Sequence, residues 1–125
     1  MNIVGISAAE SVIMEALWKR SPLTAEDIVA LVAREQEWTE ATVRTLLNRL
    51  LKKRAIAARK DGRKYLYRPL MKRVDWVQEE SQSLLDRLFD GKLAPLVTHF
   101  SQRKKLSRED IRELKRLIGE IDDER

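Results

Sequence analysis

Three amphipathic helical segments come first, then two short strands flanking an Asp-Gly pair, then three more helical segments, all within 125 residues. That order predicts a mainly α fold, in which the first three helices and the hairpin make a winged helix-turn-helix. The composition agrees, because 36% charged and 6% aromatic residues suit helices with long solvated faces better than a β sandwich. Charge is unevenly placed: residues 1–73 hold 15 Lys and Arg against 8 Asp and Glu, and residues 74–125 hold 10 against 12. From Arg44 to Arg73 twelve cations face a single acid, Asp61, which is the electrostatic footprint of a nucleic-acid surface. The chain is therefore divided into a winged helix-turn-helix DNA-binding domain, residues 1–73, and a three-helix dimerisation domain, residues 74–125.

Ser7 followed by Glu10 is a capping-box pattern that opens the first helix, with Val12, Ile13, Ala16 and Leu17 as its buried stripe and an end near Arg20, before Ser21-Pro22. Thr24 with Asp27 opens the second helix. Leu23 is placed to staple onto Ile28, and Ile28, Leu31 and Val32 make the core face up to about Arg34. The third helix starts at Thr39, a good N-cap, and Trp38 can pack on Val43 to fix the angle at which the chain enters it. Val43, Leu46, Leu47, Leu50 and Leu51 follow the helical period on one face.

The other face of this third helix is the candidate reading surface, with Thr39, Ala41, Thr42, Arg44, Thr45, Asn48, Arg49 and Lys52. Arginine can pair bidentately with guanine, asparagine with adenine, and a threonine methyl can meet thymine. Each has a bland alternative in phosphate contact or simple solvation. Arg49 has a further one, an ion pair with Glu10 or Glu15, and the stem of Arg44 can cover core carbons. After Lys53 the period changes. Ile56 to Lys60 and Arg63 to Tyr67 read as strands around Asp61-Gly62, a tight-hairpin signal in which both central residues can take positive φ. The tip of this basic wing offers Lys60, Arg63 and Lys64 to phosphates beside the groove.

From Val74 the apolar positions Val77, Leu84, Leu85, Leu88 and Phe89 mark a long helix ending at Asp90-Gly91. A shorter helix from Ala94 to Gln102 carries Leu96, Val97 and Phe100. Ser107 with Asp110 caps the last helix, whose Ile111, Leu114, Ile118 and Ile121 keep heptad spacing. Three such helices are too small to bury a core alone, so their apolar faces are expected to pair with a second copy of the chain.

Several classes of chemistry are disfavoured. The sequence has no cysteine and one histidine, His99, so it offers no thiolate site, no imidazole metal cluster and no cofactor motif. Glu79-Glu80 and Glu109-Asp110 read as solvated faces and caps, and no catalytic triad is present, so an enzyme is not expected. Without a long apolar run or a signal-peptide pattern, the chain is expected in the cytoplasm with no membrane insertion. Trp18 and Trp38 read as core, Trp76 as packing at the junction of the two halves, and Tyr65 and Tyr67 as clamps holding the wing to the helices, with a tyrosine hydroxyl on a phosphate as the alternative. His99 reads as a packing residue. The competing interpretation of the whole chain is a protein-protein adaptor with only nonspecific nucleic-acid attachment.

The segments Ile6 to Trp18, Leu23 to Ile28 (LTAEDI), Thr42 to Leu50 (TVRTLLNRL) and Gly62 to Pro69 (GRKYLYRP), then Ser83 to Gly91 and Leu106 to Leu114, resemble the penicillinase-repressor family of the BlaI/MecI/CopY type along nearly the whole chain. The resemblance implies a homodimeric transcriptional repressor on a palindromic operator, often encoded with a membrane-bound metalloprotease sensor of β-lactams. In antibiotic-responsive members, relief follows cleavage of an Asn-Phe bond in the dimerisation domain, and the matching pair here is His99-Phe100. The copper-responsive branch uses a cysteine-rich tail, which this chain lacks. The family's Lys-Gly exit from the reading helix is replaced by Arg54-Ala55.

Overall fold

The computed structural model describes residues 3–124. Its elements run α1 (Ala8–Lys19), α2 (Ala25–Val32), α3 (Glu40–Lys52), β1 (Ile56–Asp61), β2 (Lys64–Pro69), α4 (Arg73–Phe89), α5 (Leu93–Gln102) and α6 (Arg108–Asp123). The chain divides into two compact units, Met1–Glu80 and Ser81–Arg125, with the boundary inside α4.

Helix starts follow the local sequence. Ser7, Thr24 and Ser107 each form a complete capping box with Glu10, Asp27 and Asp110, and the Thr39 side chain accepts from the Thr42 N–H. In the first unit α1, α2 and α3 close on one core containing Ile13, Met14, Leu17, Ile28, Val43, Leu47, Leu50 and Ile56. Val12 and Ala16, read as core, are only partly buried, and Met14 takes the central place on α1. Leu31 departs from the expected core face altogether and is 48% exposed. In a helix of eight residues one column of apolar side chains suffices to meet the core, and Leu31 lies outside it.

The wing is a two-stranded antiparallel hairpin with Ile56 opposite Pro69 and Asp61 opposite Lys64. Its turn differs from the expectation. Asp61 belongs to the strand, the central residues are Gly62 and Arg63, and of these only Gly62 takes positive φ, at 65°. Positive φ at the first central residue alone is the pattern of a type II′ turn, for which glycine is preferred there. The base of the wing is tied to the link between α1 and α2, because Leu23 and Tyr67 exchange both backbone hydrogen bonds (3.1 and 2.8 Å). Tyr67 is buried as read; Tyr65, nearer the tip and beyond the reach of this tie, is 46% exposed. Trp76 packs on Trp18 at 5.4 Å within the first unit, and the Trp18 indole donates to the Met71 carbonyl.

The exit from α3 is a Schellman motif: the Arg54 N–H donates to the Leu51 carbonyl and the Ala55 N–H to the Leu50 carbonyl. This geometry requires a left-handed residue, and Arg54 supplies it at φ 61°. Arg54 thus holds the turn with a side chain in an unfavourable conformation, about 1 kcal/mol or more, while Ala55 of the altered pair does not take positive φ. Arg54→Gly should raise stability by about 0.5 kcal/mol after the entropy of glycine is discounted. A urea titration should show the midpoint rising with an unchanged slope.

In the second unit none of the residues of α5 or α6 is fully buried. Leu85, Phe89, Leu96, Val97 and Leu114 are half-buried, whereas Leu84, Leu88, Phe100, Ile111, Ile118 and Ile121 are exposed by 36% to 62%.

Candidate nucleic-acid interface

The period of α3 sorts its residues cleanly. Val43, Leu46, Leu47 and Leu50 are buried, while Thr39, Ala41, Thr42, Arg44, Thr45, Asn48, Arg49 and Lys52 are all exposed. Lys60, Arg63 and Lys64 are exposed at the wing tip. A notch of about 160 Å³ joins the two elements, lined by Arg44 of α3, Arg63, Lys64 and Tyr65 of the wing, and Thr24 and Glu26 at the start of α2. Tyr65, half-exposed beside three cations, offers a phenolic hydroxyl to the candidate contacts, the alternative to clamping that the sequence left open. The notch therefore combines charge, a hydroxyl and the amino end of a helix, all of which suit phosphate oxygens.

Several of these side chains are held in the free protein. Arg44 pairs with Glu40 at 2.9 Å and Lys64 with Glu26 at 3.3 Å, and all four side chains are about half exposed. Such pairs contribute only ~0.2–1 kcal/mol, so both cations can exchange a carboxylate for a phosphate or base at little cost. The Thr45 hydroxyl donates to the Ala41 carbonyl at 3.0 Å, which leaves its methyl as the outward group. Arg49 does not pair with Glu10 or Glu15. Glu10 is met by Lys53 at 2.5 Å and Glu15 by Arg73 at 2.7 Å, leaving Arg49 on the solvated face. Arg44 is 54% exposed, which leaves its guanidinium accessible to a ligand.

Glu26 is the acid that faces this basic notch. Glu26→Gln should raise affinity for duplex DNA a few-fold at low salt, by releasing Lys64 and removing a repulsive charge, and the gain should fade as salt screens it. Fluorescence anisotropy across a salt series measures both effects.

Among the described residues Glu10 is the one charged residue in the core, 1% exposed. Burial alone raises its carboxyl pKa, but the Lys53 hydrogen bond, the Ser7 N–H and the Lys53 charge together outweigh burial and hold it below the ordinary carboxylate range. The pair ties the start of α1 to the end of α3, and so fixes α3 at its carboxyl end. The sequence pointed to Glu10 as a cap and as a candidate partner of Arg49, and its cation is Lys53 instead. Its cation lies far along the chain, where no periodicity points to it.

Three helices, a two-stranded wing and a cationic exposed face on the third helix define a winged helix-turn-helix protein of the DNA-binding kind. The sequence profile of the penicillinase repressor family matches residues 6–120, and the chain belongs to that family of DNA-binding transcriptional repressors. The penicillinase repressor of Bacillus licheniformis is 33% identical over 119 residues, covering 95% of this chain and 93% of the relative. The methicillin resistance regulatory protein MecI of Staphylococcus aureus (strain N315) is 29% identical over 114 residues, 91% and 93% of the two chains. Among solved structures, the monomeric form of Bacillus licheniformis BlaI in complex with the blaP half-operator matches with a TM-score of 0.51 at 32% identity, over 59% of this chain and 90% of that one. Among the described residues no helix is long and apolar enough to cross a membrane, and no group of three side chains is arranged to hold a metal.

Proposed function

We propose that this chain is a cytoplasmic homodimeric repressor that binds a palindromic operator in double-stranded DNA, with α3 in the major groove and the wing on the flanking backbone. The observation that carries the reading is the exposed face Thr42, Arg44, Thr45 and Asn48 of a rigidly capped helix, set beside the cationic notch of the wing. The relative bound to a half-operator supports the pose. In this division of labour residues 1–73 read DNA and residues 74–125 dimerise, through Leu84, Leu85, Leu88, Phe89, Leu96, Val97, Phe100, Ile111, Leu114, Ile118 and Ile121. The absence of any fully buried residue in α5 and α6 supports that assignment, since an apolar stripe left exposed gains most from a second copy.

Relief is assigned to proteolysis of the second unit, at His99-Phe100, by a membrane-bound metalloprotease sensor system responding to a β-lactam or another cell-envelope signal. The bond lies within α5, with Phe100 43% exposed. A protease needs extended chain, and a helix with nothing fully buried opens locally at low cost. A mass spectrum of the protein from induced cells tests this, and an intact chain after derepression would sink it.

Footprinting on the DNA upstream of the gene tests the central claim. Two protected half-sites about one helical turn apart, or a multiple of it, are expected. Protection of no discrete palindrome would favour the protein-protein adaptor instead. Within the interface, Arg63→Ala should weaken binding to all sequences about equally and reduce the salt slope by about 1, whereas Thr45→Ala should change the preference among operator variants. Uniform losses from both would show that the division between positioning and reading is wrong.

A further inference from the structure

The charges on α6 say how two copies of the second unit meet. Ile111, Leu117, Ile118 and Ile121 are 41% to 59% exposed along one side of the helix, and Leu114 lies between them at the edge of a groove of about 480 Å³ shared with Leu96, Val97 and Phe100 of α5. Residues 103–116 carry seven basic side chains against three acidic ones, and residues 117–124 carry four acids and no base. The last turn of α6 contains no cation, although the negative end of a helix favours one. The corner before α6 holds Arg103, Lys104 and Lys105, and its first turn carries Arg108 beside Glu109 and the capping Asp110. The approach to α6 is thus basic, and its carboxyl end carries acids that the helix's own dipole opposes. Arg116 is engaged along the helix by Glu113 and Glu120, leaving Arg108 and the acids Asp122, Asp123 and Glu124 without an ion-pair partner among the described residues.

An antiparallel second copy answers both ends at once, whereas a parallel one stacks acid on acid and base on base. We propose that α6 pairs antiparallel with α6 of a second copy of this chain. The seam sets Ile111 against Ile121 of the second copy and Leu114 against Ile118, and Arg108 falls beside Asp122. This pairing rests on the homodimer reading above and adds its orientation and register.

The natural chain has no cysteine, so single cysteines introduced into the full-length protein report the register directly. Mixing Ile111→Cys and Ile121→Cys chains of different mass under mild oxidation should give the mixed disulfide, with neither variant linking efficiently to itself. Leu117→Cys, close to the two-fold axis, should link to itself through a short bismaleimide. Efficient self-linking of Ile111→Cys or Ile121→Cys would mean a parallel pair and overturn the proposal. A dimer in sedimentation that gives none of these products would also overturn it, by placing another element on α6. A wild-type chain that sediments as a monomer at every concentration would remove the homodimer itself, and is thereby distinguished from the other failures. As a charge test that spares the apolar seam, Arg108→Glu should weaken the dimer a few-fold and Asp122→Arg in the same chain should restore it. No rescue by the second change counts against the proposed register.

Discussion

Ile118→Glu is expected to lower affinity for a duplex carrying two half-sites by about 10²–10⁴, while affinity for a single half-site stays within about twofold of wild type. Ile118 is 59% exposed, so glutamate there disturbs no core and the first unit keeps its fold. The effect comes from linkage. In the proposed dimer, once one head is bound the second meets its half-site at an effective concentration set by the protein's own geometry, and a charge placed in the proposed seam removes that advantage without touching a DNA contact. Anisotropy titrations on the two duplexes at one salt concentration measure both affinities. Equal losses on the two would place Ile118 in the stability of the first unit, and no loss on either would remove the second unit from operator binding.

What the sequence disclosed was local. Three capping boxes and the cap at Thr39 fall where their residues stand, because a cap involves a side chain and an amide three positions away. The exposed face of α3 was equally legible, since the helical period separates Val43, Leu46, Leu47 and Leu50 from the polar residues between them. The misreadings arose where distant contacts decide. Tyr65 and Tyr67 alternate identically along β2, yet only Tyr67 lies opposite Leu23, whose backbone holds that end of the wing down. Trp76 was expected to pack at the junction of residues 1–73 and 74–125, and it does pack across that boundary, but its particular partner, Trp18 of α1, lies more than fifty residues earlier. The turn moved one residue because pairing of Asp61 with Lys64 leaves Gly62 and Arg63 at its centre. Pairing of this kind depends on register across the hairpin, which a dipeptide signal does not contain.

Lys53→Ala should destabilise the chain by about 2 kcal/mol at pH 7, with a difference from wild type that shrinks as the pH falls toward 3. The argument turns on which partner is buried. The Glu10 side chain is 2% exposed and the Lys53 side chain 37% exposed, so removing the lysine strands a carboxylate in the core, whereas removing the carboxylate leaves an ammonium able to reach water. In the wild type the carboxyl is held below its ordinary range. A depressed folded value means that its stabilisation is fully present above the unfolded value of about 4.3, and is lost as pH falls through the folded one. In Lys53→Ala the lysine's hydrogen bond and charge no longer oppose burial, so the depression is reduced and the stability gained as pH rises through the ordinary carboxylate range is lost with it. The two curves therefore separate between about pH 3 and 6 and run parallel above it. Glu10→Gln supplies the control: its amide oxygen can still accept from the Ser7 N–H, its cost should be nearer 1 kcal/mol, and its stability should lack the Glu10 titration. Chemical denaturation at a series of pH values measures all three proteins, and a Lys53→Ala deficit that stays constant from pH 3 to 7 would show that the pair contributes packing alone. Because the same pair holds the end of α3 against α1, Lys53→Ala should also weaken DNA binding without altering operator preference, since a loosened reading helix loses alignment with every sequence alike.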